Sequence, residues 1–160
     1  MYFLGIDPGS CGALALLDQE GNLAQLVDMP YSKTEKELDT LALKELFENF
    51  INLSKGALFC VIEKCQYTPA IKGSGAFTFG KTLGSTYTSL ELSGIKHERI
   101  APQKWKKFFS LIKQDKTVSI STAKRLFPSV TDKLLKTKDG RAEALLLAEY
   151  ARRCYSSLDR

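Results

Sequence analysis

The sequence predicts an α/β fold. A five-stranded mixed sheet, its first three strands antiparallel, carries helices on both faces. Three observations lead there. Three short apolar runs follow one another between residues 2 and 30 with only turn-length links. From residue 36 onward, helix-period and strand-like segments alternate, as crossovers between parallel strands require. The length of 160 residues, with 44% hydrophobic and 26% charged side chains, suits a single soluble domain around one core, residues 1–160.

Taken in order, "YFLGID" (2–7) is an apolar strand that ends on Asp7, followed by the turn formers Pro8, Gly9 and Ser10. "GALALLD" (12–18) and "NLAQLVDMP" (22–30) are the second and third strands, linked through Gly21 and Asn22. Asp18 adjoins that turn and is expected to be exposed, as is Asp28. "KELDTLALKELFENFINLS" (36–54) spaces Leu38, Leu41, Leu46, Phe50 and Leu53 as one helix face. "ALFCVIE" (57–63) is a buried strand ending on Glu63. "KCQYTPAIKGSG" (64–75) is a loop, given Pro69 and two glycines. "AFTFGKTLGSTYTSLELSG" (76–94) is a helix with a stripe of small residues, Ala76, Gly80, Gly84 and Thr88. "IKHERIA" (95–101) supplies the fifth strand, and Pro102 opens the helix "PQKWKKFFSLI". "KTVSISTAKRLF" (116–127) is a helix stopped by Pro128, and "SVTDKLLKTKDG" (129–140) is a basic, irregular link. "RAEALLLAEYARRCY" (141–155) is the clearest helix of the chain.

The net charge of +5 is unevenly placed. From Lys96 to Arg141 there are thirteen Lys or Arg against four Asp or Glu. That asymmetry points to a polyanionic partner, of which nucleic acid is the usual one. No apolar run is long enough to span a bilayer, and no signal peptide is expected from "MYFLGID". The four cysteines, Cys11, Cys60, Cys65 and Cys154, form no C-x-x-C pair and have one histidine to join them. A zinc site and a disulfide framework are therefore not indicated, and a reducing cytoplasm is the expected compartment.

Acids converge in this topology. Asp7 and Glu63 end strands that, as sheet neighbours, would deliver them at corresponding depths. Asp139 and Glu143 are four apart at the start of the last helix and share one face. Four carboxylates in one place repel one another unless cations neutralise them, and an all-oxygen set selects Mg²⁺ or Mn²⁺. Two such ions about 4 Å apart clamp the attacking and leaving oxygens of a phosphoryl transfer. Each acid also has a plainer role. Asp7 can open a turn, Asp139 can cap a helix and Glu143 can lie on a solvated face; Glu63, directly after "LFCVI", is harder to dismiss.

"GIDPGSCGALALLD", "VIEKCQ" and "KDGRAEALLLAEYARR", with "IAPQKWKKFF" and "AKRLFP" between, resemble RuvC-type Holliday junction resolvases of the RNase H-like superfamily over essentially the whole chain. "APQKWKKFF", "AKRLFPS" and "DGRAEALLLA" look closest to the plant chloroplast branch and its phage-like relatives. The resemblance implies an RNase H-like fold and four metal-binding catalytic acids, Asp7, Glu63, Asp139 and Glu143. It further implies two Mg²⁺ or Mn²⁺ ions, a homodimer, and paired cuts in four-way junction DNA leaving 5′ phosphates and 3′ hydroxyls. One departure concerns spacing: bacterial members place the last two acids three apart, whereas here they are four apart. The chloroplast branch also uses four, with histidine where Asp139 stands. The wedging aromatic of bacterial members falls near Gln66, with Tyr67 adjoining.

For DNA contact the expected residues are Tyr67, Lys72, Lys104, Lys107, Lys116 and Lys138, within a basic region that also holds Lys106, Lys113 and Lys136. Trp105 either anchors its helix in the core or stacks on a base. Phe77 and Phe79 either belong to the core or probe the junction. The small-residue stripe serves either a dimer interface or packing on the chain's own sheet. Competing functions are a nuclease on other branched DNA and a catalytically silent junction-binding protein. An actin-like kinase is a third, for which this chain is too short to build the two-lobed cleft.

Overall fold

The computed structural model describes residues 1–65, 73–134 and 139–156. Its strands are β1 (Tyr2–Asp7), β2 (Ala13–Leu17), β3 (Leu23–Asp28), β4 (Tyr31–Ser32), β5 (Glu37–Leu38), β6 (Leu58–Glu63) and β7 (Lys96–Ile100). Its helices are α1 (Thr40–Leu53), α2 (Ser74–Leu92), α3 (Pro102–Phe108), α4 (Lys116–Leu126) and α5 (Gly140–Tyr155). The main sheet has the order β3-β2-β1-β6-β7. β1 and β2 pair antiparallel, as do β2 and β3, whereas β6 runs parallel to both β1 and β7. No helix among the described residues is long and apolar enough to cross a membrane.

Strand alternation sorts the core onto two faces. Leu4, Ile6, Leu14, Leu16, Cys60 and Ile62 meet Leu43, Phe47 and Phe50 of α1 and Leu90 of α2. Phe3, Ala15, Leu17, Phe59 and Val61 meet Trp105 of α3, Ala123 of α4 and the length of α5. The same period carries Gly5 and Asp7 after Phe3, and Glu63 after Val61, to the α5 side of the sheet. Because Ile6 pairs with Ile62 in the parallel ladder, both acids leave the sheet at the same level. α5 approaches the sheet unusually closely. A Cβ on Gly5 would lie 2.1 Å from the Ala144 carbonyl oxygen, and one on Gly140 would lie 2.2 Å from that of Cys11. Glycine at these two points lets the helix start touch the β1–β2 turn, beside Asp7.

Three local expectations need correction. Leu38 does not begin α1; it pairs with Tyr31 in a small β4–β5 hairpin. Asp39 then caps the helix, accepting a hydrogen bond from the Ala42 N–H at 2.9 Å. That shifts the buried face to Leu43, Phe47 and Phe50 and leaves Leu41 65% exposed. The basic link is also more ordered than expected. Residues Pro128–Lys133 form a 3-10 turn that drives Val130 into the core, with Leu134 following. Finally, α3 stops at Phe108, and Ser110 takes a left-handed φ of 59°.

Candidate active site

The ends of β1 and β6 and the start of α5 converge on one open cleft of about 480 Å³. Asp7, Glu63, Asp139 and Glu143 all line it, together with Ser10, Cys65, Phe79 and Lys116. Residues far apart in sequence thus face one volume, as the strand-end argument expected.

The four acids are held differently. Glu63 is the most constrained. Its Oε2 accepts a hydrogen bond from the Trp105 indole N–H at 2.7 Å, and its main-chain oxygen accepts one from the Tyr87 hydroxyl at 3.0 Å. The Cys65 thiol lies 3.8 Å from Oε1. Burial first, then the charges of Glu63 and Asp7, push that thiol up to about 12, so it stays protonated. Glu143 is 8% exposed and pairs with Lys106, Nζ to Oε1 being 3.3 Å. Burial raises the pKa of Glu143, with Lys106 opposing and Glu63 and Asp139 adding to the rise. Asp139 occupies the position before α5 but makes no capping hydrogen bond; its Oδ2 instead meets Lys116 Nζ at 2.8 Å.

Asp7 differs from the others. Among the described residues its carboxylate accepts no hydrogen bond and joins no ion pair. Burial holds its pKa well above the usual carboxylate range, and the charges of Glu143, Glu63 and Asp139 push it further. A carboxylate in that situation is costly to ionise without a cation beside it.

The donor set fits a hard divalent ion by chemistry, since four carboxylates offer only oxygen and Asp7 lacks a partner among the described residues. Side-chain orientation is a separate matter. Among the described residues, no three acidic, cysteine or histidine side chains stand close enough to grip one ion. In this arrangement Glu63 Oε2 accepts from Trp105, Glu143 pairs with Lys106 and Asp139 pairs with Lys116. Two ammonium groups supply the positive charge that the acids require.

The other expected site residues are distributed more widely. Lys116 is at the cleft and 80% exposed, so it can swing outward. Lys104 pairs with Glu98 at 3.6 Å, and Lys107 is exposed; neither lines the cleft. Tyr67, Lys72 and Lys138, like Gln66 and Lys136, lie outside the described residues. Lys106, grouped from sequence with the phosphate-binding lysines, instead turns inward to Glu143, 5.0 Å from the Trp105 ring centre. Trp105 is fully buried, which settles core anchoring over base stacking. Its bond to Glu63 had no local sequence signal, because the two are 42 positions apart. Phe77 is 73% exposed, and Phe79 lines the cleft, so neither is core. Gly80, Gly84 and Thr88 are exposed, and a Cβ on either glycine would meet nothing within 4 Å, so the stripe does not pack on its own sheet.

No protein-family model matches the sequence, and no curated protein does. Solved structures do match. A T. thermophilus RuvC in complex with Holliday junction substrate aligns over 98% of both chains, with 15% identity and a TM-score of 0.60. A Thermus thermophilus RuvC structure aligns over 96% of both chains, with 16% identity and a TM-score of 0.64. The likeness is one of fold, and this chain has a RuvC-like fold built on a five-stranded mixed sheet with helices.

Proposed function

We propose that the protein is a metal-dependent endonuclease that resolves four-way DNA junctions by paired phosphodiester hydrolysis. One observation carries this reading: four carboxylates from three separate elements face a single open cleft, and Asp7 is unpartnered among the described residues. Asp7, Glu63, Asp139 and Glu143 would hold the ions. Mg²⁺ or Mn²⁺, two per site when bound, lower the pKa of water and stabilise a leaving 3′ oxygen. Within the chain, Trp105 orients the Glu63 carboxylate, and Lys106 offsets charge on Glu143. Lys116 sits at the mouth, where an exposed ammonium can exchange Asp139 for a DNA phosphate. Lys104, Lys107 and Lys138 complete the proposed DNA surface as phosphate contacts, which do not read sequence, and Tyr67 and Lys72 are the proposed junction-probing residues of their loop.

We extend the reading in two respects. Residues 1–160 act as one nuclease domain, closest in motif to the chloroplast and phage-like branch; "APQKWKKFF" and the four-residue spacing of Asp139 and Glu143 support this. Two copies pair through α2, since Gly80 and Gly84 leave room for another helix and paired cuts need two sites.

The test is cleavage of labelled four-way junctions, flaps and linear duplexes in Mg²⁺. Paired nicks across the junction are expected, with none from Asp7→Asn or Glu63→Gln. Equal cutting of linear duplex overturns junction specificity, and junction binding without cutting overturns the nuclease assignment. Trp105→Phe is expected to keep the fold, because most of the buried ring area survives. Losing the indole donor should weaken Mn²⁺ binding by about tenfold or more, read by calorimetry, as removal of groups that orient metal ligands does elsewhere.

A further inference from the structure

The start of α5 meets the sheet at two places. Gly140 rests on the Cys11 carbonyl in the β1–β2 turn, and Arg141 reaches Asp28 at the end of β3. Asp28 belongs to the same row of the sheet as Asp7. Asp7 pairs with Ala13 of β2, and Ala13 pairs with Asp28. Residues directly opposite in antiparallel strands share a face, so Asp7 and Asp28 both rise toward α5. Above them stand Asp139, Arg141 and Glu143, at every second position. Two helical positions turn a side chain by about 200°. Asp139 and Glu143 thus share the side that faces the cleft, and Arg141 points the other way, to β3.

Arg141 grips Asp28 as a fork, with Nε to Oδ1 at 2.6 Å and Nη2 to Oδ2 at 3.0 Å. Its Nη1 also donates to the Lys133 carbonyl at 3.2 Å. Two parallel bonds fix a direction as well as a distance. Asp28 stands on firm backbone, since the Met29 N–H bonds to the Gly12 oxygen at 3.0 Å. Gly140 sets how near the helix comes to the turn, but it has no side chain to resist rotation. The lysine contacts of this turn, Lys116 to Asp139 and Lys106 to Glu143, occupy the cleft carboxylates themselves. A divalent ion that takes those carboxylates displaces both lysines. The fork uses no cleft carboxylate, so it persists. Arg141 does not line the cleft and can act only through its neighbours. The lever is steep. A carboxylate roughly 5 Å from the helix axis moves about 1 Å when the turn rotates by about 10°, and ligands must be held to about 0.5 Å.

We propose that Arg141 and Asp28 are a positioning pair. Their fork sets the rotation of the first turn of α5 and thereby the affinity of Asp139 and Glu143 for a divalent cation. The pair rests on the metal-dependent function proposed above.

Charge and position give opposite expectations for Arg141→Gln. Removing a positive group near the cleft tightens cation binding by charge alone. Loss of the fork should instead weaken Mn²⁺ binding by about tenfold, read by calorimetry. Arg141→Lys keeps the charge and breaks the fork, so it should weaken binding too, as should Asp28→Asn. The double variant Asp28→Asn with Arg141→Gln should bind no more weakly than the weaker single one, because both remove the same fork. Metal-free Tm should move by no more than about 4 °C, since half-exposed ion pairs contribute little stability. Cleavage by each variant should need about tenfold more Mn²⁺ and approach the wild-type rate once Mn²⁺ saturates. Unchanged or tighter Mn²⁺ binding by Arg141→Gln, against a wild type that binds the ion, overturns the pair and leaves the proposed nuclease standing. So does a double variant in which the two losses multiply. A wild type that binds no Mn²⁺ overturns the metal-dependent function and the pair with it.

Discussion

Gly5→Ala is expected to lower the stability of the fold by about 3 kcal/mol or more, the upper range for forcing atoms into a packed core. The new methyl carbon would lie 2.1 Å from the Ala144 carbonyl oxygen and 2.3 Å from the Ala148 amide nitrogen. Both are main-chain atoms of α5, so no side-chain rotation relieves the clash. The helix must lift off β1, and it takes Asp139 and Glu143 with it. At this chain length the loss corresponds to roughly 6–12 °C in Tm. Thermal unfolding measures the first effect. Cleavage assayed well below the lowered Tm measures the second, and it should be lost while the protein is still folded. Gly9→Ala is the stability control: a Cβ there meets nothing within 4 Å, and its Tm should stay near wild type. A Gly5→Ala protein with unchanged Tm would mean that α5 does not rest on β1 as described.

Asp7→Asn should do two opposite things. Without metal it should stabilise the protein, and with metal it should remove both metal binding and cleavage. Burial and three neighbouring carboxylates raise the pKa of Asp7 above its ordinary 3.8. Its folded form therefore holds the proton more tightly than its unfolded form. Metal-free stability is then greatest below the ordinary value and falls as pH rises through the raised one. Glu143, also raised, acts in the same direction. Asparagine cannot ionise, so the variant should show a flatter stability–pH profile and a Tm several degrees higher at neutral pH. Mn²⁺ should reverse the order. A hundredfold excess over the dissociation constant adds about 2.7 kcal/mol to the wild type, and the variant should gain little. Scans at several pH values, with EDTA or Mn²⁺, read all of this. A lower metal-free Tm in Asp7→Asn, with the Mn²⁺ response intact, would remove Asp7 from the site.

Local chemistry was legible in the chain. The strand ends at Asp7 and Glu63, the opening of α3 by Pro102 and the shared face of Asp139 and Glu143 follow from short-range rules. Such rules act over a few residues, so the elements and their polar ends emerge from pattern alone. The α1 face was misread for the same reason: Leu38 belongs to the apolar pattern, but Asp39 caps the helix after it, and the hairpin takes Leu38 away.

What the sequence by itself determined is thus the alternation of elements and which of them end in acids. Tertiary structure alone decided how those acids are held. It turned Trp105 onto Glu63, Lys106 onto Glu143 and Lys116 onto Asp139, and it left Asp7 without a partner among the described residues. It also exposed the glycines of α2 and pressed α5 onto Gly5. The physical reason is that hydrogen bonds, ion pairs and steric contacts act over a few ångströms in space. The groups they join here lie tens of residues apart along the chain, where no periodicity records which will meet.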